Sequence, residues 1–336
     1  MKHTVRSIAA LAGVSRGTVS RVLNNQPDVR PEVRARVLRI IDETGYRKDN
    51  RFSGEAAICI GVIVTFWEDE YFINSTLQGI SMASREINAA KVKLEIRRMN
   101  SRSDEEFIRV CEEMLELGVR GLVLNVPDNI YIAAEIERLH QAGIVVVTYN
   151  SDLPESRRTC HVGQDLLKSG RIAAGLMARC ISPRDHILVI TGNLEFRSHR
   201  VRIDGFLQHL QALGFSSDCY SLAECYEKYD LTYDTVRRAL ERDPHLRGIY
   251  MGTEDVRACV DALAGTRRRT AVVVNDLTPV ARRALRSGRI DFVVEQDFSK
   301  QVYRAILILH ELLVYGHRIK HPIEYVNTSI VTRELL

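Results

Sequence analysis

The 336-residue sequence lacks several features that would each indicate a particular class of protein. No apolar run approaches the roughly 20 residues that a membrane-spanning helix needs, so we expect no membrane segment. The apolar stretch at the N-terminus is too short and too interrupted for a signal peptide, which favours a cytoplasmic location. The seven cysteines are odd in number, scattered and without a CxxC pair. Reduced thiols are therefore expected, rather than a disulfide framework or a zinc site.

Enzyme signatures are also scarce. The sequence contains no GxxxxGKS or GxxxxGKT, no GxSxG and no HExxH motif, so phosphate-loop, serine-hydrolase and zinc-protease chemistry have no support. Glu195, His199 and Asp204 could be imagined as an acid–base set, but helical spacing explains them equally well. We therefore expect no catalytic residues, no metal and no cofactor.

Positive charge is concentrated at one end of the chain. Residues 1–55 contain 11 Lys and Arg against 6 Asp and Glu, whereas the rest of the chain carries 36 against 37. A basic excess on one segment is typical of proteins that contact the phosphates of nucleic acids.

The basic segment has the pattern of two short helices joined by a tight turn. Apolar residues lie at helical spacing before Gly13, which can stop a helix because it has no side chain to obstruct positive φ. Ser15 can cap the second helix with its hydroxyl, and Val19 and Val22 can face back onto the first. A third helix is predicted from Pro31, with an apolar stripe and a stop at Gly45. This pattern predicts a helix-turn-helix whose second helix enters the DNA major groove.

The run TVRSIAALAGVSRGTVSRVLNN, followed by RPEVRARVLRIIDETGY, resembles the headpiece of the lactose/galactose repressor (LacI/GalR) family. The resemblance covers nearly the whole chain and implies a DNA-binding transcriptional regulator. Arg16, Gly17 and Arg21 occupy the positions that read bases in that family. Each arginine can fork onto a guanine, although either could instead be a surface residue. Ser15, Thr18 and Ser20 suit phosphate contacts. The expected DNA-contacting set also includes Thr4, Asn24 and Phe52.

The segment after the headpiece departs from the family. Members carry a hinge helix with a leucine that wedges into the minor groove. The segment Arg47–Ala57 is shorter, lacks the proline after Gly-Tyr-Arg and contains no leucine, so Phe52 is its one large apolar candidate for a wedge.

From Ile58 onward, short β-branched runs alternate with amphipathic helical stretches, which predicts parallel sheets covered on both faces. A capping box, Ser103 to Glu106, opens a helix to Leu117, and another helix is predicted from Ser198 to Leu213. No internal repeat is evident. The eight predicted strands are Ile60–Phe66, Val92–Met99, Gly121–Val126, Ile144–Asn150, His186–Gly192, Gly248–Gly252, Ala271–Asp276 and Asp291–Asp297, followed by a last one at Glu324–Thr332.

Two architectures fit this alternation. One is a (β/α)8 barrel. The other, implied by the family resemblance, is a type I periplasmic-binding-protein fold with two doubly wound lobes and a ligand in the cleft between them. The resemblance also implies three crossings, near Gln164, near Gln296–Asp297 and near Ile323–Asn327. The expected organisation is a headpiece (1–46), a linker (47–57) and an effector-binding domain (58–336), with an N-lobe (58–164 and 297–325) and a C-lobe (165–296 and 326–336).

The same resemblance implies a set of effector-binding residues. Tyr71 and Phe72 can stack on a sugar face, although Tyr71 could equally pack the first helix. Arg202 lies in the R-x-x-G-F stretch whose arginine reaches the ligand, with a surface salt bridge as its alternative. Asp276 can accept two hydroxyl hydrogen bonds at a strand end. The full set is Asp69, Tyr71, Phe72, Asn150, Arg202, Thr253, Asp276 and Gln296.

The effector class is left open between neutral and anionic compounds. Asn150 and Ser151 stand where sugar binders often have Asp-Arg. A sugar phosphate or an acidic sugar could be favoured by Arg200, Arg202, His199 and Lys168. A neutral monosaccharide or polyol is preferred.

The expected function is that of a repressor that binds operator DNA as a homodimer, since two headpieces read two half-sites. No heptad segment that would predict a tetramer follows the last strand. A sugar-binding transport component and a sugar-modifying enzyme with a DNA-binding unit are the two alternatives.

Overall fold

The computed structural model describes residues 5–23, 29–44, 57–67, 69–87, 91–194, 196–253 and 255–336. The chain divides into two compact units, residues 1–56 and residues 57–336.

The described part of the first unit consists of three helices, α1 (Val5–Ala12), α2 (Arg16–Leu23) and α3 (Pro31–Thr44). Gly13 has a φ of 61°, and the Ser15 hydroxyl accepts a hydrogen bond from the Thr18 amide at 3.1 Å, so the predicted helix stop and helix cap are both confirmed. The predicted stop of the third helix at Gly45 lies outside the described residues. The small core that joins the three helices contains Ile8, Ala9, Ala12, Val19, Val22, Val29 and Val37.

The second unit begins with three strand–helix repeats, followed by two strands. Its first elements are β1 (Ile58–Val64), α4 (Glu70–Glu86), β2 (Val92–Arg98), α5 (Asp104–Glu116), β3 (Val119–Leu124), α6 (Ile130–Gln141), β4 (Val145–Tyr149) and β5 (Cys160–Gln164). Ser103 caps α5 by accepting from the Glu106 amide at 3.2 Å. The capping box is only half formed, because the Glu106 carboxylate accepts from the Asn100 amide instead.

The chain then repeats the pattern. The elements are α7 (Leu166–Cys180), β6 (His186–Thr191), α8 (Arg197–Ala212), β7 (Tyr220–Glu224), α9 (Tyr229–Arg242), β8 (Leu246–Met251), α10 (Val256–Leu263), β9 (Ala271–Asn275), α11 (Pro279–Arg286) and β10 (Phe292–Glu295). They are followed by α12 (Phe298–Tyr315), β11 (Ile323–Val326) and β12 (Ser329–Val331), and by 3-10 turns at Ser217–Cys219 and Arg333–Leu335.

Two six-stranded sheets result, which we call the N-lobe and C-lobe sheets. The N-lobe order is β11-β5-β4-β3-β1-β2 and the C-lobe order is β12-β10-β9-β8-β6-β7. Every adjacent pair among these strands is parallel except β10 with β12. Helix α12 follows a C-lobe strand but packs on β1, β3, β4, β5 and α4 of the N-lobe. The chain therefore crosses between the sheets after β5, after β10 and after β11.

The fold confirms the predicted pair of doubly wound lobes, and the barrel alternative is wrong because the twelve described strands form two separate open sheets. Each of the eight predicted strands overlaps an observed one. Two strands, β5 and β7, were missed because CHVGQ and YSLAE contain polar residues and no continuous apolar run. The last predicted strand, Glu324–Thr332, is in fact β11 and β12, which lie in different sheets.

Helices α7 and α8 of the C-lobe pack with their backbones in close approach. A Cβ placed on Gly170 would lie 2.6 Å from the Phe206 nitrogen and 3.0 Å from the carbonyl carbon of Gly205. A Cβ placed on Gly205 would in turn lie 3.0 Å from the carbonyl carbon of Leu167. Gly170 and Gly205 therefore both need to be glycine, because a side chain at either position would meet backbone atoms that cannot rotate away. This contact fixes where α8 lies, and α8 carries Arg202.

Candidate functional site

The exposed surface of α2 carries the predicted base-reading residues. Arg16, Gly17 and Arg21 are all exposed, and Arg21 Nε donates to the Gly17 carbonyl at 3.4 Å. The hydroxyls of Ser15 and Thr18 lie 2.9 Å apart and engage each other. Ser20 lies in α2, but its side chain is outside the described residues, as are Thr4, Asn24 and Phe52.

The second candidate site is the cleft between the two lobes. In each sheet the loops that follow parallel strands meet at the carboxyl edge, and ligands of doubly wound folds bind there. The cleft has an empty volume of about 970 Å³, which includes the part that is open to solvent. Its N-lobe wall contains Thr65, Trp67, Phe72, Met99, Arg102, Ser103, Asp104, Phe107, Asn125, Val126, Pro127, Ile132, Asn150 and Ser151, and its C-lobe wall contains Phe196, Ser198, His199, Arg202, Glu227, Thr253, Asp276 and Gln296.

A buried polar cluster forms the base of the C-lobe wall. Arg202 is 5% exposed and Asp276 is 6% exposed. Gln296 Nε2 donates to Asp276 Oδ1 at 2.7 Å, and Arg202 Nη1 donates to the Gly252 carbonyl at 3.2 Å. Burial raises the pKa of Asp276, and the Arg202 guanidinium and the Gln296 hydrogen bond oppose that rise. The cluster is thus a concentrated set of donors and acceptors facing the cleft.

Two atoms of this wall have no hydrogen-bond partner among the described residues. They are Arg202 Nε and Thr253 Oγ1, and both are buried. Buried polar groups are normally paired, since leaving one unpaired costs about 1–3 kcal/mol. The unpaired donor and hydroxyl therefore mark places where a polar ligand can complete the hydrogen bonding.

A second carboxylate lies directly behind the cluster. Glu295 accepts hydrogen bonds from the amides of Leu277 (2.6 Å), Asp297 (3.0 Å) and Gln296 (3.2 Å). Burial and the neighbouring Asp276 carboxylate raise the pKa of Glu295 to about 7. These bonds hold the loops after β9 and β10 together, and so position Asp276 and Gln296.

His199 lies on the first turn of α8, beside Arg202. Its Nδ1 accepts from the Asn193 amide at 3.1 Å, and its Nε2 lies 3.8 Å from Glu227 Oε1. Burial, followed by the Arg202 charge, lowers the pKa of His199 to about 4, so the imidazole is neutral near pH 7.

Ion pairs cross the cleft between the lobes. Arg102 Nη1 lies 3.1 Å from Glu227 Oε2, and the Arg102 guanidinium also stacks 4.9 Å above the Trp67 ring. A longer pair joins Arg200 and Asp128 at 3.8 Å. These contacts link the two walls across the cleft.

Six of the eight predicted effector residues line the cleft: Phe72, Asn150, Arg202, Thr253, Asp276 and Gln296. Asp69 and Tyr71 do not belong to the lining. The Asp69 carboxylate caps α4 by accepting from the Tyr71 amide at 2.8 Å, and the Tyr71 ring packs edge-on against Phe72 at 5.1 Å.

Several lining residues escaped the sequence reasoning. Trp67 stacks on Phe72 with ring centroids 4.6 Å apart, and it is the single tryptophan of the chain, directly after an apolar strand. Its position after that strand could have identified Trp67 as a cleft residue from the sequence. Arg102 and Glu227 could not be identified in this way, because they lie in different lobes and meet only across the cleft.

Among the described residues, no helix is long and apolar enough to cross a membrane. Within the same part of the chain, no group of three or more His, Cys, Asp or Glu side chains is placed to hold a metal ion.

Two family models match the chain. Residues 60–317 match the model described as "Periplasmic binding protein domain", and residues 4–49 match "Bacterial regulatory proteins, lacI family". The two matches fall on the two compact units.

Related regulators resemble the chain over most of its length. Catabolite control protein A of Priestia megaterium is 26% identical over 82% of this chain and 81% of its own. The HTH-type transcriptional regulator CelR of Thermobifida fusca is 27% identical over 84% of each. The HTH-type transcriptional regulator GntR of Escherichia coli K12 is 25% identical over 76% of this chain and 74% of its own.

Solved structures share the fold of the second unit. An ABC transporter solute-binding protein from Burkholderia graminis, in complex with D-arabinose, aligns with a TM-score of 0.74 and 20% identity over 84% of this chain and 98% of its own. GanP, a glucose-galactose binding protein from Geobacillus stearothermophilus, aligns with a TM-score of 0.72 and 19% identity over 83% of this chain and 99% of its own. The chain belongs to the lacI family of bacterial regulatory proteins and is a DNA-binding transcriptional regulator that carries a periplasmic-binding-protein domain.

Proposed function

We propose that the chain is a homodimeric repressor of the cytoplasm whose affinity for operator DNA is set by a neutral polyhydroxylated effector bound between the lobes. One observation carries the effector assignment: the buried Arg202, Asp276, Gln296 and Thr253 cluster opens into the cleft with two polar atoms unpaired. A sugar or polyol offers hydroxyls that both donate to Asp276 and accept from Arg202. The D-arabinose and glucose–galactose binding of the fold relatives supports this class.

The charge of the lining favours a neutral ligand over a sugar phosphate. Two arginines, Arg102 and Arg202, face three carboxylates, those of Asp104, Glu227 and Asp276. Arg102 is already paired with Glu227, and His199 is neutral near pH 7 because its pKa is about 4. A phosphate would therefore meet no excess of positive charge, which an anion site requires.

Control of DNA binding follows from closure. An effector that binds the closed lobes better than the open ones shifts their equilibrium by that difference in affinity and no more. In a dimer, such a shift changes how two headpieces fit two half-sites. No catalytic step is part of this proposal.

The effector assignment is tested by a thermal-shift screen of monosaccharides, polyols and sugar phosphates, with calorimetry on the hits. We expect a neutral compound to bind, and both Arg202→Ala and Asp276→Ala to abolish binding. The matched control is Arg197→Ala, an exposed arginine on the same helix, which should bind normally. Binding that survives both cleft substitutions, or that is confined to phosphorylated sugars, contradicts the proposal.

The DNA half is tested with the two arginines of α2. Arg21→Ala should weaken specific binding by about 1–3 kcal/mol, since each fork onto a guanine is worth that much. Arg36→Ala, an exposed arginine on α3, serves as the control in the same gel-shift titration. Equal affinities for wild type and Arg21→Ala would remove α2 from the base-reading role.

A further inference from the structure

A buried glutamine lies behind the polar cluster of the C-lobe wall without lining the cleft. Gln301 is fully buried in the first turn of α12, the helix that follows the crossing after β10. Its Nε2 donates to two oxygens of Gln296, the backbone carbonyl at 3.2 Å and Oε1 at 3.1 Å. Gln296 Nε2 in turn donates to Asp276 Oδ1 at 2.7 Å. We call this chain of hydrogen bonds through Gln301, Gln296 and Asp276 the amide relay.

The amide relay has a single direction because it begins at a backbone carbonyl. A carbonyl oxygen only accepts hydrogen bonds, so the amide nitrogen of Gln301, and not its oxygen, must face Gln296. Gln296 Oε1 then accepts from Gln301, which leaves Gln296 Nε2 to face the Asp276 carboxylate. Without such a partner, a glutamine side chain can turn its amide over and present the oxygen instead, since the two ends have nearly the same shape.

The surroundings of Gln301 on α12 are those of an apolar core position. Phe298, Val302 and Ala305 of the same helix all belong to the hydrophobic core of the N-lobe. Gln301 Oε1 is buried and has no hydrogen-bond partner among the described residues, which is unfavourable for a polar atom. Both described side-chain hydrogen bonds of Gln301 go to Gln296. The polar group therefore contributes to the cluster at the cleft rather than to the core around it.

The helix that carries Gln301 is fixed in the N-lobe. The Phe298 ring packs edge-on against Phe72 at 5.2 Å and against Tyr149 at 5.7 Å. Helices α4 and α12 also approach each other closely, because a Cβ placed on Gly79 would lie 2.8 Å from the Val302 Cβ. An N-lobe helix thus holds the amide that orients a side chain of the C-lobe wall.

We propose that Gln301 is a positioning residue for the effector, because it orients the Gln296 amide so that Nε2 faces Asp276 and the cleft. Nε2 carries two hydrogens, and the one that is not donated to Asp276 remains for an oxygen of the effector. The same bond holds Asp276 as an acceptor, whose second carboxylate oxygen can accept from an effector hydroxyl. Gln301 thus decides which group donates and which accepts, without touching the effector. This role rests on the proposed function, since it concerns the same effector.

Calorimetry on the full chain measures the effect, with D-glucose, D-galactose, D-arabinose, D-xylose and the corresponding alditols as probes. Gln301→Met replaces the amide with an unbranched apolar side chain of similar length. We expect it to weaken binding of the tightest probe about tenfold, because the Gln296 amide loses the partner that fixes its orientation. Gln301→Leu should have the same effect, and either variant suffices if the other does not fold.

A double-mutant cycle separates this role from a general loss of packing. Gln296→Met should weaken binding more than Gln301→Met does. Adding Gln301→Met to Gln296→Met should weaken binding by less than about twofold further, because no amide is then left to orient.

The matched control is Gln164→Met. Gln164 is also a buried glutamine at a crossing, and its Oε1 has no partner among the described residues either. Its Nε2 donates to Thr328 Oγ1 at 3.1 Å and not to the polar cluster. Gln164→Met should therefore change the affinity for the probe by less than about twofold.

Four outcomes overturn the proposal in distinguishable ways. If Gln301→Met and Gln301→Leu bind the probe as wild type does, Gln301 has no part in binding and the proposed function stands. If the losses multiply in the double variant, Gln301 supports the fold and not the orientation of Gln296. If Gln164→Met loses as much affinity as Gln301→Met, the loss is common to buried glutamines at the crossings. If no sugar or alditol binds wild type, the proposed function fails, and the role of Gln301 fails with it.

Discussion

The N-lobe and the C-lobe share a topology but not a chemistry. Strands β1 to β5 and strands β6 to β10 occupy the same order in their sheets, although no repeat is evident in the sequence. The sixth strand breaks the symmetry, because β11 is parallel and β12 antiparallel to its neighbour. The carboxyl-edge loops break it further, because seven of the fourteen N-lobe lining residues are apolar, whereas seven of the eight C-lobe lining residues are polar or charged. The scaffold positions a site, and the loops decide what it binds.

One pair of equivalent positions shows the difference at the level of single residues. Asn150 follows β4 and Asp276 follows β9, with φ of 61° and 65°. Each amide donates to the adjacent strand at 3.1 Å, to the carbonyl of Val162 and of Val294 respectively. Asn and Asp both tolerate this left-handed conformation. The backbone is thus the same in both lobes, but only the C-lobe places a carboxylate there.

The largest effect is expected from disturbing the helix contact that holds the C-lobe wall. Gly170→Ala should lower the free energy of unfolding by about 3 kcal/mol, because the new methyl group meets backbone atoms of α8. Gly175→Ala on the same helix meets nothing nearer than 3.7 Å and should stabilise by roughly 0.5–1 kcal/mol. Urea unfolding measures both. Equal stabilities would mean that α7 and α8 do not pack as described.

Exchanging the equivalent residues tests the chemical asymmetry. Asp276→Asn should weaken effector binding by about 2 kcal/mol, roughly 30-fold, because hydrogen bonds to a charged acceptor are worth about 1.5–3 kcal/mol. Asn150→Asp, at the same backbone conformation in the N-lobe, should change binding less. Calorimetry with the identified effector decides, and a larger loss from Asn150→Asp would reverse the assignment of the polar wall.

Each lobe also contains one buried imidazole whose pKa is lowered to about 4 by burial, His161 in the N-lobe and His199 in the C-lobe. Because the unfolded state binds protons below pH 6.5 and the folded state does so only near pH 4, stability is complete above pH 6.5 and is lost as pH falls toward 4. At pH 5 each histidine should cost up to about 2 kcal/mol.

The measurement is urea unfolding of wild type, His161→Gln and His199→Gln at pH 7 and pH 5. Each variant should lose less stability than wild type between the two pH values. Parallel losses in all three proteins would show that neither imidazole is kept neutral by the fold.

The smallest effect is expected at the ion pair that joins the lobes. Arg102 and Glu227 are 38% and 24% exposed in their side chains, so solvent screens their attraction. Arg102→Ala should therefore change the free energy of unfolding by less than about 1 kcal/mol. Small-angle scattering without effector should report a larger average opening between the lobes for Arg102→Ala than for wild type. An unchanged profile would mean that this pair does not hold the cleft closed.

The sequence predicted the scaffold well because strands such as β1, ICIGVIV, are buried on both faces and read as continuous apolar runs. It missed β7 because YSLAE lies at a sheet edge and contains no buried residue. Helix starts at Ser15 and Ser103 were predictable because a cap is a local interaction.

The cleft could be predicted only in part. Asp276 and Asn150 directly follow strands, so local order places them at the carboxyl edge. The pairing of Arg102 with Glu227 joins residues 125 positions apart in two lobes, and no local pattern contains it. Tyr71 shows the opposite difficulty, because its neighbour Phe72 lines the cleft while Tyr71 itself packs beside it.

Control of headpiece binding to DNA by a ligand in the cleft is the property on which the proposed function depends. Its most direct test is fluorescence anisotropy of the full chain on a duplex selected from random sequence, with and without the identified effector, for wild type and Asp276→Asn. We expect the effector, at a concentration that just saturates the wild-type cleft, to change the operator affinity of wild type at least tenfold and that of Asp276→Asn clearly less, because Asp276→Asn binds the effector more weakly. An equal change in both proteins, or none in wild type with its cleft saturated, would contradict the account.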